Sequence, residues 1–103
     1  MTDLNQLQKR IYQNKLNKNF NVTDIYREFC YMHGELSEAC AAYMKKNDDV
    51  GEELADVAIY LLGLSEILGV DLEKEIINKI EKNEKRQYKQ IDGVNYRIDE
   101  NDE

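Results

Sequence analysis

A chain of 103 residues is one domain with room for a single small core, so self-association is expected to supply part of its stability. Hydrophobic residues at 42% and charged residues at 34% fit a globular protein rather than a disordered one, and a net charge of −7 argues against a binder of nucleic-acid polymers, whose phosphates demand a basic surface. The polar start Thr2-Asp3-Leu4-Asn5 is no signal peptide and no apolar run reaches the roughly 18 residues that span a membrane, so a cytoplasmic location without membrane attachment is expected.

The absence of Pro and the abundance of Ala, Leu, Glu and Lys favour helix, and four helices are predicted. The first runs from about Asp3 to Asn17, with Asp3 as cap and Gln6 three residues on; Leu4, Leu7, Ile11 and Leu16, with Tyr12, make its apolar stripe. Asn17-Lys18-Asn19-Phe20-Asn21 breaks it, since Asn favours turns. Phe20 reads as a plug that packs this loop onto the core, the alternative being a wall against a ligand ring.

The second helix is predicted from Asn21 or Thr23 to near Lys46. Ile25, Phe29, Met32, Leu36, Cys40 and Tyr43 have the spacing of a buried face. Cys30 and Cys40 would be about 15 Å apart on this helix, too far for a disulfide, and read as reduced core residues. Glu35 and Glu38 lie off that stripe, on the side of Tyr31, Ala39 and Ala42, where small alanines would let a neighbouring helix come close. After the break at Lys46-Asn47-Asp48-Asp49, a third helix begins at Asp48 or Asp49, with Glu52 placed for a capping box, and ends at Gly69. Its middle, Val57 to Leu64, is apolar all round, as in a helix buried on every side; a partner subunit is expected to complete that burial. Glu53 and Asp56 sit at the mouth of this run.

The fourth helix is predicted from Asp71 to about Tyr88, with Leu72, Ile76, Ile77 and Ile80 inward. Lys79, Asn83 and Arg86 fall on one line. They read either as part of a solvated face with Glu75–Lys79 and Glu81–Lys85 pairs or as a row that reaches phosphate oxygens. Tyr88–Ile91 and Val94–Ile98 flank Asp92-Gly93, a strong signal for a two-residue hairpin. The acidic end Asp99–Glu103 is expected to be mobile. The fold expected is all-α, an antiparallel bundle of four helices over residues 1–90, with a short C-terminal hairpin and acidic tail over 91–103.

The residue types narrow the chemistry. His33 is the only histidine and lies over the core stripe of its own helix, which disfavours nucleophilic triads; two cysteines and that histidine on one helix do not make a zinc site. No Glu-x-x-His pair on two helices offers a di-iron site, and no glycine-rich loop offers a phosphate cradle. What remains is Glu35-x-x-Glu38 followed by Glu53-x-x-Asp56. Each pair projects from one helix face, and a helix pair folded back at residues 46–49 would turn the four carboxylates toward one another. Such a cluster repels itself and calls for a hard cation such as Mg²⁺; the alternative is a set of solvated surface acids.

The same residues resemble the MazG family of nucleoside triphosphate pyrophosphohydrolases. The resemblance lies in Glu35-x-x-Glu38, Gly51-Glu52-Glu53-Leu54-Ala55-Asp56-Val57, Leu68-Gly69-Val70-Asp71-Leu72 and Lys79-x-x-x-Asn83-x-x-Arg86, and covers about Phe29 to Tyr88. Gly34 stands where the family's first motif usually opens with an additional acid. The resemblance implies an all-α fold of four or five helices and a homodimer or homotetramer. It also implies hydrolysis of a nucleoside triphosphate to the monophosphate and pyrophosphate with Mg²⁺, or Mn²⁺ in its place. Glu35, Glu38, Glu53 and Asp56 would hold the metal; beyond the resemblance, Glu35 and Glu38 are read as serving catalysis, with Glu35 accepting the proton of the attacking water. Lys79, Asn83 and Arg86 match the family's pattern on the fourth helix, which favours reading them as phosphate contacts, and Phe20, Tyr31 and Tyr60 are candidates for ring contacts. Two further readings stand beside this one: a non-catalytic nucleotide- or metal-binding regulator of the same descent, and a plain interaction module built on the third helix.

Overall fold

Asp3 opens the regular structure. Its Oδ1 accepts from the Gln6 N–H at 2.8 Å, and helix α1 follows over Leu4–Asn17. Asp24 caps helix α2, Ile25–Met44, in the same way, accepting from the Arg27 N–H at 3.1 Å. The expected start at Asn21 or Thr23 is too early, because Asn21 closes the turn before the cap: its Oδ1 accepts from the Asp24 N–H and its Nδ2 donates to the Asp24 carbonyl. Helix α3, Val50–Ile67, has Asp49 at its cap but no side-chain cap bond, so the expected capping box with Glu52 does not form. Helix α4, Leu72–Lys85, stops short of the expected Tyr88 because the chain turns into strand β1, Gln87–Ile91.

The computed structural model describes residues 2–98; the acidic end predicted at Asp99–Glu103 lies outside them. Within those residues the chain is mostly helical, with one small antiparallel hairpin, and no helix is long and apolar enough to cross a membrane.

Helices α1, α2 and α3 end alike. Phe20 N–H reaches Lys15 C=O at 2.9 Å, Asn47 reaches Ala42 at 2.9 Å, and Val70 reaches Ser65 at 2.8 Å, each across a residue of positive φ. Those residues are Asn19 at 57°, Lys46 at 56° and Gly69 at 70°. Gly and Asn adopt this left-handed cap most readily. In the hairpin, β1 pairs with β2, Val94–Ile98, and the connecting Asp92 and Gly93 both have positive φ, which makes the turn that Asp-Gly predicts.

The chain forms two compact units, Met1–Glu73 and Lys74–Glu103. In the first, α3 packs against both α1 and α2. Gln8 ties the far end together: its Nε2 donates to Val70 C=O at 2.9 Å and its Oε1 accepts from Leu72 N–H at 3.2 Å. The buried apolar residues are Ala39, Ala42, Leu62 and Leu64.

This overturns the predicted inner face of α2. Phe29, Leu36 and Tyr43 are 45%, 54% and 74% exposed, whereas the alanine side is buried. Small side chains let two helix axes approach, so the alanines meet α3 and the bulky stripe stays outside. Cys30, Cys40 and His33 are exposed rather than core residues, and Phe20, at 55% exposed, is no plug. Helix α3 is buried at Leu62–Ser65 but exposes Leu54, Ile59 and Leu61. In the second unit, Ile76, Ile77 and Ile80 of α4 are exposed, against the prediction that they point inward.

Candidate metal centre

Helical spacing places Glu35 and Glu38 one turn apart on α2, and Glu53 and Asp56 one turn apart on α3. Because Ala39 and Ala42 bring α2 close to α3, the carboxylates of the two helices converge. One oxygen each from Glu35, Glu38 and Glu53 lies within 4.8 Å of the others. Asp56 is outside this group of three, yet its charge bears on both Glu35 and Glu53. The structure thus brings three of the four predicted ligands together, with the fourth beside them.

The cluster is electrostatically incomplete. Loss of water raises the pKa of Glu35, and the charges of Glu38 and Asp56 raise it further. Glu53 is raised as well, first by loss of water and then by Asp49 and Glu38. Among the described residues no lysine or arginine ion-pairs with these carboxylates. Glu53 Oε2 is buried and has no hydrogen-bond partner. An orphaned carboxylate oxygen among like charges, in a donor set made only of oxygen, fits a hard divalent cation.

A second network lies beside it, and sequence reasoning missed it. Lys15 of α1 is buried and forms an ion pair with Glu28 of α2, itself 1% exposed. Asn21 Nδ2 donates to the other Glu28 oxygen at 3.0 Å. The Lys15 ammonium lies 5.2 Å from the centre of the Tyr60 ring, and Tyr60 meets Tyr31 edge to face with centroids 6.0 Å apart. Burial raises the Tyr60 pKa, and the charges of Glu35 and Glu28 add to it. Gly63 makes room for the lysine stem: a Cβ there would stand 3.0 Å from Lys15 Cε. The signal available in the sequence was periodic. Gln8, Ile11 and Lys15 follow one inward line of α1, and Glu28, Tyr31 and Glu35 one line of α2.

Lys79, Asn83 and Arg86 belong to the second unit, the first two on α4 and Arg86 just past its end. The alternative reading of this face relied on Glu75–Lys79 and Glu81–Lys85 pairs, and neither forms. Instead the Lys79 pKa is lowered, chiefly by the charge of Arg86, then by loss of water, and then by Lys82 and Arg97.

Residues 30–100, more than half of the chain, match the family model described as MazG-like family. Neither the curated proteins nor the solved structures compared with the chain gave a match.

Proposed function

The chain belongs to the MazG-like family, and from that premise we propose that it hydrolyses a nucleoside triphosphate to the monophosphate and pyrophosphate, using a divalent cation. The observation that carries the reading is the convergence of Glu35, Glu38 and Glu53, the last of which keeps one buried oxygen without a hydrogen-bond partner. In this reading those three residues and Asp56 hold Mg²⁺, or Mn²⁺ in its place. When bound, the cation neutralises charge on the triphosphate and makes water more acidic.

The protein's own residues supply the rest. Glu35 accepts the proton of the attacking water, a task its raised pKa suits, because a base poised nearer neutrality holds that proton better than an ordinary carboxylate. Glu38, one turn away, keeps Glu35 poised by its charge. Lys79, Asn83 and Arg86 contact phosphate oxygens. Tyr31 and Tyr60, already in edge-to-face contact with each other, offer ring surface, as does the exposed Phe20. The apolar faces left open on α2 and α3 support assembly as a homodimer or homotetramer.

The test is a panel of ordinary, deoxy and modified nucleoside triphosphates with Mg²⁺, read as pyrophosphate release. At least one substrate is cut, and EDTA abolishes the cutting; a folded protein that cuts none of them refutes the enzymatic reading. Gly34 favours one second reading, a binder of nucleotide or metal without turnover. A Cβ at Gly34 meets nothing within 4 Å, so Gly34→Glu fits the backbone and restores the acid usual in the family. Turnover gained by G34E where the parent chain only binds selects that second reading.

A further inference from the structure

Helices α2 and α3 meet in matched rungs. On α2, Glu28, Tyr31, Glu35 and Glu38 follow at intervals of three, four and three residues, which keeps them on one side of the helix. On α3, Glu53, Asp56, Tyr60 and Gly63 repeat those intervals. The short connection at residues 45–49 folds α3 back along α2, so the order on α3 is reversed. Glu38 and Glu35 therefore come level with Glu53 and Asp56, whose charges act on Glu35. Tyr31 meets Tyr60 with ring centroids 6.0 Å apart. Glu28 comes level with Gly63, whose missing side chain admits Lys15 from α1. The aromatic rung thus stands between the open carboxylate cluster and the closed ion pair, and the charges of both Glu35 and Glu28 act on Tyr60.

On the side of the ion pair everything is held. Lys15 and Glu28 are buried, and Asn21 takes the second oxygen of Glu28 at 3.0 Å. A buried ion pair is a poor means of stabilising a helix bundle, since apolar residues of similar volume do as well or better. What this pair adds is a cation fixed at one point, 5.2 Å from the centre of the Tyr60 ring. Such a cation resists tilting of the ring, because the attraction falls once the ammonium leaves the face. Tyr31, 45% exposed, and the partly exposed Tyr60 still offer ring surface to a ligand. We infer that Lys15 is a positioning residue for the base of the nucleotide: locked by Glu28, it holds Tyr60 at the angle at which Tyr60 and Tyr31 receive that base beside the carboxylates. The ligand class rests on the nucleotide reading above, to which Lys15 and Glu28 add the support behind the ring.

The experiment is calorimetric titration of the full chain, in Mg²⁺, with α,β-methylene analogues of the common nucleoside triphosphates, which resist cleavage between the α and β phosphates. Inorganic tripolyphosphate, the phosphates without a nucleoside, is the reference. Lys15→Met with Glu28→Leu removes one charge of each sign, so the net charge met by an anion is unchanged. Wild type binds at least one analogue more tightly than tripolyphosphate. In the double variant that analogue weakens about tenfold, the order of one base–aromatic contact, while tripolyphosphate binds as before. Tyr60→Leu weakens the analogue as much, and combining it with the double variant costs nothing further, because Lys15 acts only through the ring. Lys15→Gln with Glu28→Gln replaces the apolar pair if that pair does not fold. Wild-type affinity for the analogue in a folded double variant overturns the inference. An equal loss for tripolyphosphate, a loss that adds to that of Tyr60→Leu, or an analogue no tighter than tripolyphosphate in wild type does the same. Analogue affinity that depends on Lys15, in a chain that hydrolyses no triphosphate, breaks the enzymatic reading and leaves Lys15 in its role. Hydrolysis of a triphosphate whose analogue binds the double variant as it binds wild type does the reverse.

Discussion

The first unit contains two groups of charges, one joining α1 to α2 and one joining α2 to α3, and they are solved in opposite ways. Glu28 is buried with Lys15 against one oxygen and Asn21 against the other. Glu35, Glu38 and Glu53, farther along α2 and α3, meet only one another, and one oxygen of Glu53 has no partner at all. A buried charge left alone is costly, so folded proteins pair or neutralise it. The pair at Glu28 is complete within the chain and therefore structural. The cluster has no such partner among the described residues, which is the arrangement the proposed metal site calls for. The two groups must respond with opposite signs to the same kind of substitution.

The largest effect belongs to the complete pair. Glu28→Ala leaves the Lys15 ammonium buried beside Tyr60 with no carboxylate, and removing one partner of a buried pair costs about 3–5 kcal/mol. That is a large share of the stability of a small domain, so urea denaturation should show a loss of that order. Replacing both partners, Lys15→Met with Glu28→Leu, removes the orphan and should recover most of the loss in the same measurement. If the double variant is as unstable as the single, the pair is not the closed unit described.

Next comes Glu38→Gln. It removes charge from the cluster without changing its shape, and should lower triphosphate hydrolysis at least about a hundredfold, roughly 2.7 kcal/mol of transition-state stabilisation, with the fold unchanged by circular dichroism. Mg²⁺ should raise the melting temperature of wild type, and Glu38→Gln should abolish that rise. A surface set of acids would lose neither property.

How much of this could be read beforehand depends on whether the signal was local. The Asp3 cap, the Gly69 helix end and the Asp92–Gly93 turn were legible, because each is decided by a few adjacent residues. The convergence of three of the four carboxylates was legible too, through three-residue spacing and the alanines beside Glu38, although Asp56 stays outside the group. Which face of α2 turns inward was not. Hydrophobic size pointed to Phe29, Leu36 and Tyr43, while the deciding factor was how near α3 could come to Ala39 and Ala42. The Lys15–Glu28 pair was hidden for a different reason: each member looks like an ordinary helix charge until the partner from another helix is known. Asp24, rather than Asn21, as the cap of α2 turned on a local competition that Asn21 resolves by bonding to Asp24 itself.

A smaller effect distinguishes the cluster by pH. Burial and neighbouring charges hold the pKa of Glu35 and Glu53 above the ordinary carboxylate value in the folded chain. Between the ordinary and the raised values the folded chain holds protons that the unfolded chain has released. The metal-free protein therefore loses stability as pH rises through that window, and gains nothing further from these groups once pH falls below the ordinary value. Melting temperatures in EDTA should fall across the window, while the increment added by Mg²⁺ should grow, because cation and proton compete for the same oxygens. Glu53→Gln should flatten both trends and raise the metal-free melting temperature, the opposite sign to Glu28→Ala. A metal-free protein that becomes more stable over that rise in pH contradicts the assignment.

The smallest effect tests how firmly the complete pair is held. Gly63→Ala adds a Cβ 3.0 Å from Lys15 Cε and 3.2 Å from Ile11 Cγ2. In a helix interior alanine is favoured over glycine by about 1 kcal/mol. Crowding of a packed contact costs about 1–3 kcal/mol. A free lysine stem would swing aside, and the propensity gain would win. This stem is pinned at its tip by Glu28 and lies against Tyr60, so the crowding should prevail and G63A should lose roughly 1 kcal/mol in urea denaturation. In the background of Lys15→Met with Glu28→Leu the tip is no longer held, and the same substitution should become neutral or stabilising. The coupling between Gly63 and the pair, read from that cycle, measures the rigidity that separates the finished charge arrangement from the unfinished one.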